Sequence, residues 1–266
     1  MTSTTPLAID VSARRVPPLG GLNPTLLKLE LRRLLRNQRT VVFTLVIPVM
    51  FFVLFGVTPS YATKHVDNSH GNAAAMIMIS MAVYGAMLAT TATGASVSIE
   101  RALGWSRQLR LSPLNPAAYV FVKLIMALFI GGISVLAVYV TGIVTRKASM
   151  PTSAWIWSAL IAWVGSLTFA AFGLFMGYLL PGENVMQVLG PGLALLAFLG
   201  GLFVPLDSGS LMQQIGQFTP MYGLNNLVHA PFYGRVEAGW VVNVVIWLVV
   251  FSSGAVWRFR RDTARV

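Results

Sequence analysis

The sequence predicts an all-α integral membrane protein with six transmembrane helices, and three observations carry that reading. Of its 266 residues, 56% are hydrophobic and only 10% are charged, where soluble chains carry about 25% charged residues. Such a chain has too little polar surface to cover itself in water. Six apolar stretches are then close to the roughly 20 residues that a helix needs to cross the hydrocarbon. Helices are required there because every backbone N–H and C=O must be satisfied within its own segment. Lastly, Lys and Arg collect on alternate connections between those stretches.

The spans run approximately over residues 40–56, 73–98, 117–145, 153–180, 185–204 and 240–257. The third and fourth are longer than a crossing needs and should tilt or protrude. Residues 14–39, 101–110 and 258–265 hold fourteen of the 19 Lys and Arg, whereas the opposite connections hold only Lys64, Arg146, Lys147 and Arg235. The first set is therefore expected in the cytoplasm, with both termini on that side. This distribution also disposes of the net charge of +11 as a nucleic-acid signal, because polyanion binding needs cations exposed together. No nucleic-acid partner is expected.

Ahead of the first span, residues 1–23 contain Pro6, Pro17, Pro18, Gly20 and Gly21 and no apolar run after Arg14-Arg15. They read as a disordered cytoplasmic leader and not as a cleaved signal. Asn23-Pro24 has the form of an N-cap followed by proline at the first helical position. The helix it opens carries Leu27, Leu31, Leu34 and Leu35 on one face and Lys28, Arg32 and Arg36 on another. An interfacial helix lying among anionic headgroups fits this pattern, and a plain extension of the first span is the alternative.

Two connections are unusual. After the second span the chain reads Glu100-Arg101-Ala102-Leu103-Gly104-Trp105-Ser106-Arg107-Gln108-Leu109-Arg110, then Ser112-Pro113 and Asn115-Pro116. Leu103, Arg107 and Arg110 fall at helical spacing, and proline disfavours helix in the residue before it. A short amphipathic helix results, either docking a partner through Trp105, Leu109 and its arginines or acting as a connector. Between the fifth and sixth spans, Pro205 to Gly239 is long for a loop. Its semi-apolar middle, broken by Pro220 and Pro231, suggests two short helices dipping into the outer leaflet. Non-helical backbone at that depth is tolerated where protein or a water-filled cavity buries it, so the pair lines a pathway or serves as a stabilising lid.

Taken in this order on a six-span chain, these connections resemble the permease subunits of the type-2 ATP-binding-cassette (ABC-2) exporters. That family has a Glu-Arg-x-x-Gly segment leading to Gln-Leu and Pro, matched by Glu100-Arg101-Ala102-Leu103-Gly104, Gln108-Leu109 and Pro113. It also has an aromatic-x-Pro and a helical hairpin, resembled by Phe203-Val204-Pro205 and Phe218-Thr219-Pro220. The resemblance spans residues 24–260 as one transmembrane domain, with 261–266 as a cytoplasmic tail. It implies a coupling helix (Glu100, Arg101, Gly104, Trp105, Arg107, Leu109) that contacts a separate cytoplasmic ATPase dimer, which would bind the ATP and Mg. Trp105 and Ser106 depart from the family pattern, where an acidic or small polar residue is more usual. The resemblance further implies a second permease, alike or different, a bacterial plasma-membrane location, and export of an amphipathic drug-like or lipid-like compound.

No Gly-x-x-x-x-Gly-Lys-Ser/Thr stretch occurs in the chain, so it is not expected to be an enzyme or to hold nucleotide itself. It has no cysteine, and His65, His70 and His229 all fall in connections without enough acids for a metal site. No paired carboxylates appear within the spans, which speaks against the alternative of an ATP-independent channel or secondary carrier. A membrane anchor or assembly factor would leave the segment after Glu100 without a partner. Lys123 is expected to snorkel to the headgroups, and Glu100 to couple or to be a solvated interface charge. Gly173 and Gly177 form a small-x-x-x-small step for helix packing. Gly190-Pro191-Gly192 should interrupt the fifth span, as a gate or a static kink. Met76, Met78, Met81 and Met87 serve packing or an adaptable substrate surface. Gly190, Pro191, Gly192, Phe203, Pro205, Phe218 and Pro220 are the pathway candidates.

Overall fold

Long apolar runs in which little but hydroxyl and small side chains interrupts the aliphatic ones favour helices that satisfy their own backbone. The computed structural model describes residues 28–32, 36, 38–104, 116–182, 184–207 and 209–264. Among these residues every regular element is helical and there is no strand. Residues 28–32 are helical. They precede α1 (Gln38–Phe52), which continues into a π turn over Val53–Val57, and α2 (Ala73–Ala102). Then come α3 (Pro116–Thr145), α4 (Thr152–Gly165), α5 (Leu167–Leu179), α6 (Val185–Leu199), α7 (Leu211–Gly216), α8 (Pro220–Tyr233) and α9 (Ala238–Ala264).

Four helical stretches among the described residues are long and apolar enough to cross a membrane: Ala73–Ala102, Tyr119–Thr145, Thr152–Leu179 and Ala238–Phe259. The third joins α4 to α5 through Ser166, whose carbonyl accepts from both Phe169 and Ala170 N–H. The first and fifth expected spans are shorter apolar helices, Val42–Val57 and Val185–Leu199. At 1.5 Å per residue α6 reaches about 22 Å, short of the hydrocarbon's about 30 Å.

The centre of the molecule is α2, which packs along α3 and α5, while α5 packs in turn along α9. Small residues permit this. A Cβ on Gly173 would stand 2.3 Å from the carbonyl oxygen of Thr91, and one on Gly94 2.5 Å from that of Ala170. The two backbones therefore touch where the sequence placed its small-x-x-x-small step; Gly177 lies one turn on, against Ala95. Thr90 and Thr93 return their hydroxyls to the Ala86 and Ala89 carbonyls, so their polarity adds no unsatisfied group to the interior. Met78, Met81 and Met87 belong to the main core.

At its start α2 is fixed by Asn72. The Oδ1 atom accepts from Ala75 N–H at 3.0 Å and Ser149 N–H at 3.0 Å, and Nδ2 donates to the Lys147 carbonyl at 2.7 Å. One side chain thus caps α2 and ties it to the connection after α3.

The long connection before α9 holds two helices, as its apolar spacing suggested. Ser210 caps α7 and Thr219 caps α8 through their side-chain oxygens. Proline has different effects at its two positions. Pro220 starts α8, where a missing N–H is harmless, whereas Pro231 remains inside the helix and does not break it. Gly234, at φ 68°, ends α8 in the left-handed region that favours glycine. Its companion α8 packs against α4 and α9. His229, expected in a loop, is therefore a buried helical residue.

Candidate functional site

The C-terminal end of α2 and the N-terminal end of α3 bring their ionisable residues together. Glu100, in the last turns of α2, is 2% exposed, Lys123 on α3 is 2% exposed, and Glu30 in the helical residues 28–32 is 7% exposed. The Lys123 ammonium donates to Glu100 Oε1 at 2.5 Å and to Glu30 Oε2 at 3.2 Å. Tyr119, one helical turn before Lys123, donates its hydroxyl to Glu100 Oε2, and Ser96, one turn before Glu100, donates to Oε1 at 3.4 Å. Three separate segments are thereby tied through one ammonium.

This arrangement corrects one expectation. Lys123 does not snorkel to the surface, because two carboxylates meet its charge in the interior and an uncompensated ammonium there would be very costly. The two carboxylates, one from residues 28–32 and one from α2, are far apart in the sequence and meet at this ammonium. Glu30 and Tyr119 were not singled out by the sequence. The available signal was Lys123 itself, since a lysine within a span calls for a partner, and Tyr119 stands at i−4 from it.

Arg101 points elsewhere. Its Nη1 donates to the Tyr178 carbonyl at 3.0 Å and the Gly177 carbonyl at 3.4 Å, and its guanidinium lies 5.6 Å from the Tyr178 ring centroid. It thus holds the last carbonyls of α5, which have no helical partner of their own. Leu103 is 75% exposed, and Gly104 turns the chain with φ 75°. Trp105, Arg107 and Leu109 lie outside the described residues. Lys28, Arg32 and Arg36 are exposed, while Glu30 faces inward, so this segment separates cations from its buried acid by helical position.

The far end of α2 borders a cavity of about 940 Å³, lined by α1, α2, α6, the residues after α6, and α8. Phe203 and Pro205 line it, with the Phe203 ring 4.9 Å from Tyr84 and 5.0 Å from Phe198, both in tilted or edge contacts. Met76 and Met81 also line it, Met81 while also belonging to the main core. On its polar side, His229 Nδ1 lies 2.8 Å from the Asn225 carbonyl, and Nε2 lies 3.4 Å from Ser80 Oγ and 3.3 Å from the Met76 carbonyl. Burial lowers the pKa of this imidazole below its ordinary value.

The other pathway candidates disperse. Gly190, Pro191 and Gly192 lie within a continuous α6, and a Cβ on either glycine would meet nothing within 4 Å. The helical run continues past Pro191, whose ring removes one N–H donor from it. Pro220 is buried at the start of α8. Phe218 is 72% exposed, and its carbonyl accepts from Trp247 Nε1 at 3.1 Å.

The ABC-2 type transporter family matches residues 23–233 of the chain. The chain belongs to the ABC-2 type transporter family. This family membership takes in the helical residues 28–32, the Glu100 network and the α7–α8 hairpin in one stretch. A curated relative of this ABC-2 chain is a Bacillus subtilis (strain 168) protein named as a transport permease, YvfS. The two are 28% identical over 195 residues, 73% of this chain and 78% of the relative. As an ABC-2 family member with several long apolar helices, the chain is a multi-pass membrane protein of the transport-permease type.

Proposed function

We propose that the chain is the permease subunit of an ATP-binding-cassette exporter. Two such subunits, alike or different, enclose a path for an amphipathic drug-like or lipid-like compound, and a separate cytoplasmic ATPase dimer using ATP and Mg drives them. The chain crosses a bacterial plasma membrane six times, with α1 and α6 as the two shorter crossings, α7 and α8 entering the outer leaflet, and both termini inside. The Lys and Arg distribution supports this orientation.

The observation that carries the reading is the buried junction of Glu100, Lys123 and Glu30. It sits where α2 hands the chain to residues 105–115, so a push on that segment reaches α2, α3 and residues 28–32 together. Glu100, Arg101, Gly104, Trp105, Arg107 and Leu109 form the coupling surface in this proposal, with Lys28, Arg32 and Arg36 holding the interfacial helix on anionic lipid. Purification of the chain from its native membrane with any ATPase that accompanies it, followed by hydrolysis assays in lipid, tests it. Glu100→Gln should retain the ATPase yet uncouple hydrolysis from transport. Failure of any ATPase to associate sinks the proposal, as does a variant that transports normally.

The same junction favours a second reading, because buried acids beside a lysine also suit a proton-coupled secondary carrier. Transport by the chain without ATPase, following an imposed pH gradient, would select that reading over the first.

A further inference from the structure

We propose that the arginine end of α9 holds the headgroup of an anionic phospholipid, whose acyl chain lies along the exposed apolar face of the same helix. The site requires only that α9 crosses a membrane and does not depend on an ATPase partner. Of the four stretches long enough to cross, the one in α9 is the least buried against the rest of the bundle. Val242, Ile246, Val250, Ser253, Trp257 and Arg261 follow one another at steps of three or four residues, which puts them on one face, and all six are exposed. At 1.5 Å per residue, Val250 and Ile246 stand about 10 and 16 Å from Trp257. That is about the depth an acyl chain fills in one leaflet of a hydrocarbon layer about 30 Å thick.

Trp257 marks where that apolar face meets charge. Its indole is 56% exposed, and the Arg258 and Arg261 guanidiniums stand 5.9 and 5.6 Å from its ring centroid. Contact of this kind sets the cation against the ring and leaves guanidinium N–H groups for an oxyanion. No carboxylate among the described residues pairs with either arginine, and residues 258–265 carry four arginines against one aspartate. Phe259, two residues on and therefore on the opposite side of the helix, packs edge-on against Tyr178 of α5 at 5.7 Å. That contact fixes the rotation of the end of α9 and turns Trp257 and Arg261 outward. A phosphodiester suits the pair, because a guanidinium presents parallel N–H donors to two phosphate oxygens, and an indole rests at headgroup level. The strip that continues from Trp257 to Ile246 decides the source of the phosphate: only a lipid meets the guanidiniums and the aliphatic side chains with one molecule.

The full chain, purified in detergent micelles, is titrated with phosphatidylglycerol and with phosphatidylcholine of the same acyl chains, and bound lipid is counted by native mass spectrometry. Phosphatidylglycerol should bind about tenfold tighter. Arg258→Gln and Arg261→Gln should each weaken it about fivefold and leave phosphatidylcholine unchanged. Val250→Asn, on the acyl strip, should weaken both lipids and keep the preference between them. Arg32→Gln with Arg36→Gln, on the other cationic segment, should leave at least one tightly bound phosphatidylglycerol, and inorganic phosphate at the same headgroup concentration should not displace it. Arg261 and Val250 are exposed, so those two variants should melt as the wild type does. Equal binding of the two lipids, a preference that survives both arginine changes at α9, its loss in the Arg32 and Arg36 variant, or displacement by inorganic phosphate overturns the site. So does a disulfide between two Val250→Cys copies, which would give this face to a second chain. The titration contains no ATPase, so its failure leaves the permease reading standing, and failure of an ATPase to associate leaves this site standing.

Discussion

Lys123→Met is the perturbation that distinguishes a buried junction from a surface lysine. Methionine keeps the length and apolar stem of the side chain and removes only the ammonium. In the wild type that ammonium donates to Glu100 at 2.5 Å and to Glu30 at 3.2 Å, with all three groups nearly inaccessible to water. Taking one partner from such a set leaves buried carboxylate charge behind, which costs about 3–5 kcal/mol. At about 1.4 kcal/mol per factor of ten, the folded population falls by about two to three and a half orders of magnitude relative to the unfolded one. Reversible unfolding in mixed micelles gives the number directly. Adding Glu30→Gln and Glu100→Gln to Lys123→Met should recover most of the loss, because a neutral set no longer carries a buried charge. A Lys123→Met protein as stable as wild type would refute the junction and restore the snorkelling lysine.

Other consequences follow from the same packing. Gly173→Ala places a Cβ 2.3 Å from the Thr91 carbonyl oxygen and should cost about 1–3 kcal/mol through overpacking. Gly190→Ala meets nothing and should gain about 0.5–1 kcal/mol from helix propensity; the two are compared by the same unfolding assay. Asn72→Ala removes the cap of α2 and its tie to Ser149 and Lys147, for a loss of about 1–3 kcal/mol, while Asn72→Asp keeps the acceptor and should lose less. His229 is buried with its pKa lowered from 6.5, so the unfolded chain takes up a proton that the folded chain resists. Stability should fall as pH drops below about 6.5, and His229→Gln should flatten that part of the melting-point profile.

Architecture was legible in the sequence where one residue type decides the matter locally. Apolar length and the Lys and Arg distribution outline the helices, and Gly173 with Gly177 announce a close helix contact that the structure places against α2. The α7–α8 pair was likewise readable from its apolar spacing. Reading failed where the outcome depends on which segments meet. Lys123 looked like a snorkelling side chain because nothing in its own neighbourhood offers an acid; its partners arrive from residues 28–32 and from the end of α2. Pro231 looked like a breaker, yet α8 continues past the one lost hydrogen bond. His229 was counted among the connections because its burial comes from α8 closing on Ser80 and Met76 of α2, segments far apart in the sequence. Of the coupling candidates, Trp105, Arg107 and Leu109 lie beyond the described residues, while Glu100 and Arg101 act first as ties within the fold.

The central claim is that the Glu100 end of α2 meets the ATPase. Because the chain has no cysteine, a single introduced thiol reports contacts without background. Leu103 and Leu211 are 75% and 77% exposed at opposite ends of the molecule. With the chain and its ATPase in native membranes, a short thiol cross-linker should join Leu103→Cys to the ATPase and leave Leu211→Cys unlinked. Cross-linking from Leu211→Cys, or none from Leu103→Cys in a complex that still hydrolyses ATP, would contradict the account.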